Sequence, residues 1–221
     1  MIDLYFAPTP NGLKLTLFMA ETGLAHRIVP VSLTKGEQFR PDFLAIAPNN
    51  RIPALVDHAP ADGGAPLALF ESGAMLLYLA DKTGRLIPPD LRGRNEVLQW
   101  LFWQMAGLGP TAGQAGYFKV YAPETVPFAI ARYEKETARL YGVMDRRLAD
   151  RAYLAGDDYT IADIACYPWI VPHRAHGQDL AAFPNLRRWF AAIGERPATV
   201  RAYDGVADVY ARPGRPVATA G

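Results

Sequence analysis

The run Leu86-Ile87-Pro88-Pro89 divides this chain into two parts with different periodicities. Paired prolines lack backbone donors and hold φ fixed, so neither a helix interior nor a central strand passes through them. Ahead of them, short strand-like runs alternate with helix-like runs. Behind them, every periodic segment reads as helix. A chain of 221 residues has room for two small domains. The predicted division is a mixed α/β domain over 1–84, a linker over 85–91, an all-helical domain over 92–205 and a tail over 206–221.

In the first part, Ile2 to Phe6 is a strand. Thr9 can cap the helix that follows, Pro10 suits its first position and Gly23 its end. His26 to Val31 reads as the next strand, which gives a right-handed β-α-β unit. Phe39 to Ala47 is a loop with a short helix from Pro41. The strands Ala54–Asp57 and Leu67–Phe70 flank a turn-rich link and form an antiparallel hairpin. Ser72 then caps a helix that Gly84 ends. The order predicts a mixed four-stranded sheet compatible with a thioredoxin-like fold.

In the second part, Arg92 to Gly107 is a helix with Val97, Leu98, Leu101 and Phe102 on its apolar face, and the glycines at 107, 109, 113 and 116 weaken its far end. Thr125 to Asp150 is a second helix. Thr160 and Asp163 form a capping box for a third, with Tyr159 and Ile164 as a staple. Pro184 and Pro197 each open a shorter helix.

The 23 basic and 22 acidic side chains give no strong polyanion preference, which argues against a nucleic-acid partner. No apolar run reaches the ~20 residues that span a bilayer, and the start reads as a strand, not a leader. The expected location is cytoplasmic, and no membrane partner is expected. A single cysteine, Cys166, permits no intrachain disulfide. It falls inside an apolar helix, where it reads as an inert small hydrophobe. The histidines at 26, 58, 173 and 176 complete no metal pattern, and His173 with His176 reads as a solvated pair.

Three segments could carry chemistry. At Thr9-Pro10-Asn11 a helix start presents orphan N–H groups, and Asn11 adds an amide donor and Thr9 a hydroxyl. Such a place steadies an anion, and a thiolate is one. At Ile52-Pro53 a cis bond would turn the backbone of Ile52 outward to receive an extended peptide as an added strand, although most such bonds are trans. At Glu71-Ser72 a helix start suits a carboxylate while Glu71 suits an ammonium, which together describe an amino-acid head. Each segment also has a plain structural use as turn, strand start or cap.

Taken together, Tyr5 to Gly12, Gly36 to Pro41, Ile52-Pro53, Asp62-Gly63-Gly64, Glu71-Ser72, Leu98 to Gln104 and Thr160 to Cys166 resemble the soluble glutathione transferase family. The nearest likeness is to its nu-class bacterial glutathione-dependent disulfide-bond oxidoreductases. The resemblance covers Met1 to about Ala202. It implies a thioredoxin-like domain followed by a helical domain, assembled as a homodimer. It also implies glutathione, reduced or oxidised, as the bound substrate, with a small disulfide or an electrophile as its partner. Pro53 would be cis, and Ile52 would hold the cysteinyl part. Glu71 and Ser72 would take the γ-glutamyl head, Gln38 the glycyl end, and Arg132 would add a charged contact. Asn11 and Thr9 would stand by the sulfur. Tyr5 matches the subgroup's strand and not the tyrosine that activates the thiol in other classes. The activity implied is disulfide reduction by bound glutathione. Conjugation to electrophiles and non-catalytic regulatory binding are the alternatives.

Overall fold

A computed structural model describes residues 1–206. Of the expected tail, only Val206 falls within them. The first part runs β1 (Ile2–Phe6), α1 (Pro10–Thr22), β2 (His26–Pro30), α2 (Pro41–Leu44), β3 (Ala54–Asp57), β4 (Leu67–Leu69) and α3 (Ser72–Thr83). The second part runs α4 (Leu91–Trp103), α5 (Gly109–Gly116), α6 (Pro127–Arg147), α7 (Ile161–Ile170), α8 (Pro184–Gly194) and α9 (Pro197–Tyr203).

The sheet order is β2-β1-β3-β4. β1 pairs parallel with β2 (Ile2 opposite His26) and antiparallel with β3 (Ile2 opposite Asp57), and β3 pairs antiparallel with β4. The two-residue period of a strand sends alternate side chains to opposite faces. Ile2 and Leu4 accordingly enter the main core with Leu15, Phe18, Met75 and Leu79 of α1 and α3. Tyr5 faces the other way and meets Phe43 of α2 edge-on at 6.0 Å. α7 lies at the centre of the second part, with all ten of its residues buried.

Thr9 caps α1, Pro10 is its first residue, and Gly23 closes it in the left-handed conformation, as the sequence predicts. The Thr160–Asp163 capping box is present. Tyr159 and Ile164 beside it are both buried.

Several expectations are corrected. Ser72 does not cap α3 but is its first residue, and Glu71 holds the cap position at φ 69° with no side-chain bond to the helix. The Ser72 hydroxyl is taken instead by the ammonium of Lys14, 3.2 Å away. β4 ends at Leu69, and Phe70 is outside the ladder. The helix expected over 92–107 does not weaken at its glycines. It continues through π-helical turns at Gln104–Leu108 and Tyr117–Tyr121, with α5 between them. Gly109 and Gly113 lie against the ring of Trp169, where an added Cβ would stand only 3.4 and 3.3 Å from it. They are there for close approach and not as stops. Phe102 leaves the apolar face and is exposed, while Val97 and Leu101 are buried. His176 is not solvated but fully buried, stacked on Trp169.

Candidate active site

A cleft of about 360 Å³ opens beside the start of α1. It is lined by Thr9, Pro10, Asn11, Gln38, Arg51 and Ile52, together with Trp169 from α7.

The donors at its floor follow from the bookkeeping of helix ends. Pro10 has no N–H. The N–H of Gly12 donates to Thr9 Oγ1 at 3.2 Å, and that of Leu13 donates to the Thr9 carbonyl at 2.9 Å. The N–H of Asn11 is the first-turn donor left without a partner among the described residues. Thr9 Oγ1 accepts in the cap, so its own proton remains available to a ligand. The side chain of Asn11 accepts from the indole N–H of Trp169 at 3.0 Å. With its oxygen so occupied, the amide directs its NH₂ elsewhere.

On the cleft's other wall, the Ile52–Pro53 bond is cis and Pro53 is buried. Ile52 is half-buried, and its N–H and C=O form no hydrogen bond among the described residues. An extended segment of peptide can therefore pair with it. The Gln38 amide oxygen is also buried without a partner among the described residues. Arg51 adds an exposed guanidinium at the rim.

Glu71 and Ser72 do not line this cleft. Ser72 is buried, with Lys14 Nζ on its hydroxyl, while Glu71 is exposed. The left-handed φ of Glu71 is uncommon for a residue with a side chain, and such outliers cost about 1–3 kcal/mol and cluster at ligand sites.

Two family models match this chain. The glutathione S-transferase N-terminal domain matches over residues 9–82, and the C-terminal domain over 112–197. A curated relative, the disulfide-bond oxidoreductase YfcG of Escherichia coli, is 56% identical over 202 residues, covering 91% of this chain and 94% of the relative.

The chain belongs to the glutathione S-transferase family.

Two solved structures of that family share its fold. A glutathione transferase from Burkholderia graminis, with two glutathione molecules per subunit, superposes with a TM-score of 0.87 at 43% identity. The match covers 92% of this chain and 87% of the other. A glutathione transferase from Pseudomonas putida, with one glutathione disulfide per subunit, gives 0.85 at 40% identity, covering 91% and 90%. The first part of this chain is thus the thioredoxin-like domain of the family, and the second is its helical domain.

The remaining predicted residue, Arg132, lies on α6 in a separate cleft of about 800 Å³ with Thr111, Phe128, Tyr133 and Arg139. Within one chain the fold does not bring it to Asn11's cleft. Cys166 is fully buried in α7, and burial pushes its thiol well above the usual range. Among the described residues no cluster of side chains suits a metal, and no helix is long and apolar enough to cross a membrane. Trp169, Arg51 and Asn50 line the cleft without having been singled out from sequence. Asn50 and Arg51 immediately precede Ile52-Pro53, so their neighbourhood is readable from the sequence. Trp169 stands 158 residues from Asn11, and no local pattern announces that pairing.

Proposed function

We propose that this chain is a glutathione-dependent disulfide-bond oxidoreductase that uses a borrowed thiol. The observation that carries the proposal is Asn11, which offers a main-chain N–H without a partner among the described residues, and an oriented side-chain amide, to a cleft lined by no cysteine. Donors fixed beside a sulfur favour its thiolate over its thiol.

Ile52 would pair by its backbone with the cysteinyl residue of glutathione, with Pro53 holding that turn. Gln38 would meet the glycyl end, and Glu71 and Ser72 the γ-glutamyl head. Arg132 would add its charge from a wider site. Asn11 and Thr9 would face the sulfur. The thiolate attacks one sulfur of a small disulfide, and a new S–S bond forms as the old one breaks. The departing sulfur leaves with the electron pair and takes a proton from water. A second glutathione thiolate then attacks the first glutathione's sulfur in the mixed disulfide. The products are glutathione disulfide and a second free thiol, so two glutathiones are oxidised for each disulfide reduced. The protein contributes orientation and anion stabilisation.

The name of the Escherichia coli relative and the ligands of the two solved neighbours support this reading. We also propose a homodimer in the cytoplasm. Its interface would cover exposed apolar side chains such as Phe102 and Phe128.

The test is turnover of a small disulfide by the purified protein, followed through the glutathione disulfide formed. Cys166→Ala should keep most of the activity, and Asn11→Ala should lose at least tenfold. Abolition by Cys166→Ala would overturn the borrowed-thiol mechanism.

A further inference from the structure

We infer that Trp169, which lines the cleft, is a positioning residue for the reaction, acting through Asn11. The inference rests on the function proposed above and deepens it.

A side-chain amide has a donor end and an acceptor end of nearly equal size. Only the donor end helps a thiolate, and the acceptor end repels it. Something must choose between the two orientations. An indole N–H can only donate, so it accepts no partner but the oxygen. Trp169 Nε1 lies 3.0 Å from Asn11 Oδ1. The choice is thereby made by chemistry, and Nδ2 is left on the side away from the indole.

The indole itself is held firmly. Trp169 is 8% exposed. Its ring rests against Gly109 and Gly113, where any larger residue would crowd it. His176 stacks on the ring at 6.3 Å and 25°. Burial drives His176 down to about 3, so this neighbour is neutral at working pH. A residue of the helical domain therefore sets the orientation of a donor in the thioredoxin-like domain. A phenylalanine would fill most of the same space but could not set that orientation.

The experiment measures the thiol pKa of bound glutathione from thiolate absorbance against pH, together with kcat for reduction of a small disulfide and the KM for glutathione. Trp169→Phe should raise that pKa by about one pH unit and lower kcat about tenfold, with KM for glutathione nearly unchanged. Added to Asn11→Ala, it should change neither quantity further. Asn11→Asp still accepts from the indole but has no donor and adds a negative charge, so it should raise the thiol pKa at least as far as Asn11→Ala does. An unchanged thiol pKa in Trp169→Phe, or equal losses with and without Asn11, would overturn the inference. If Asn11→Ala itself leaves the pKa and turnover unaltered, the function proposed above fails as well.

Should Trp169→Phe not fold, the indole N–H signals of the four tryptophans provide the test in the intact protein. One of them should exchange with water faster in Asn11→Ala. Four unchanged signals would sink the idea.

Discussion

A lysine buried completely, as Lys14 is, must either keep its charge against desolvation or give up its proton. Its ammonium donates to Gln104 Oε1 at 2.6 Å and to Ser72 Oγ at 3.2 Å. Burial lowers its pKa from 10.5 to about 7, opposed by its electrostatic interactions with Cys166 and Glu71. The unfolded chain therefore holds a proton that the folded chain releases between about 7 and 10.5. Stability should rise with pH through that window, by up to about 1.4 kcal/mol per pH unit, and the burial penalty is felt in full below it. Lys14→Met removes the penalty along with these bonds and the third, to Met105 Sδ at 3.4 Å. The variant should be most favoured relative to the parent below about pH 7 and lose that advantage steadily toward about pH 9. Denaturant midpoints across that range test it, and a pH-independent difference would refute the assignment. The same lysine explains why Ser72 was misread. A serine before a helical run looks like a cap by every local rule, but its hydroxyl is claimed from 58 residues away. His176 is buried against the ring of Trp169, and Tyr141 of α6, 35 residues away in sequence, stands 3.5 Å from its Nδ1, a tertiary neighbour that no local pattern announces.

Helix ends were the most legible elements, because caps act over three or four residues. Thr9, Pro10, Gly23 and the Thr160–Asp163 pair all act where the sequence puts them. Helix continuity was not legible. The glycines after Trp103 signal an end by propensity, yet tertiary packing against Trp169 carries the chain on through them. The capping box has also gained a tertiary role. Asp163 accepts from the N–H of Thr160 at 3.1 Å, the N–H of Leu154 at 3.0 Å and the indole of Trp189 at 2.8 Å. Asp163→Ala would leave three buried N–H donors and the Thr160 hydroxyl without this partner, each worth about 1–3 kcal/mol. The expected loss is about 3–5 kcal/mol, well beyond the ~1 kcal/mol of an isolated cap. Equilibrium unfolding in urea measures it. A loss under ~1.5 kcal/mol would mean that α7 is held by its apolar packing alone.

At the scale of the molecule, the predicted division at the prolines marks a change of architecture, but not of core. One hydrophobic cluster runs from Ile2 and Leu4 of β1 through Phe18 of α1 to Ile164 of α7 and Ile193 of α8. α1 is the shared element, packing against both α7 and α9. Its charged end is tied as well. Arg196 meets Glu21 through two nitrogens at 2.6 and 2.9 Å and lies over the ring of Tyr159 at 4.1 Å. Inter-domain surfaces within a chain are often small and polar, which lets the halves open separately. Here separate opening would expose both the core surface of α1 and the Asn11–Trp169 and Lys14–Gln104 bonds. The two parts should therefore unfold as one unit. Hydrogen exchange of the amides in α1 and α7 should report the same opening free energy, near the global stability. Arg196→Met, which leaves a nearly buried Glu21 unpaired, should lower both by the same amount, about 2 kcal/mol. If α1 exchanges through a distinctly cheaper opening while α7 keeps the global value, the halves are energetically separate. A donor in one half could not then be held in place by a tryptophan in the other.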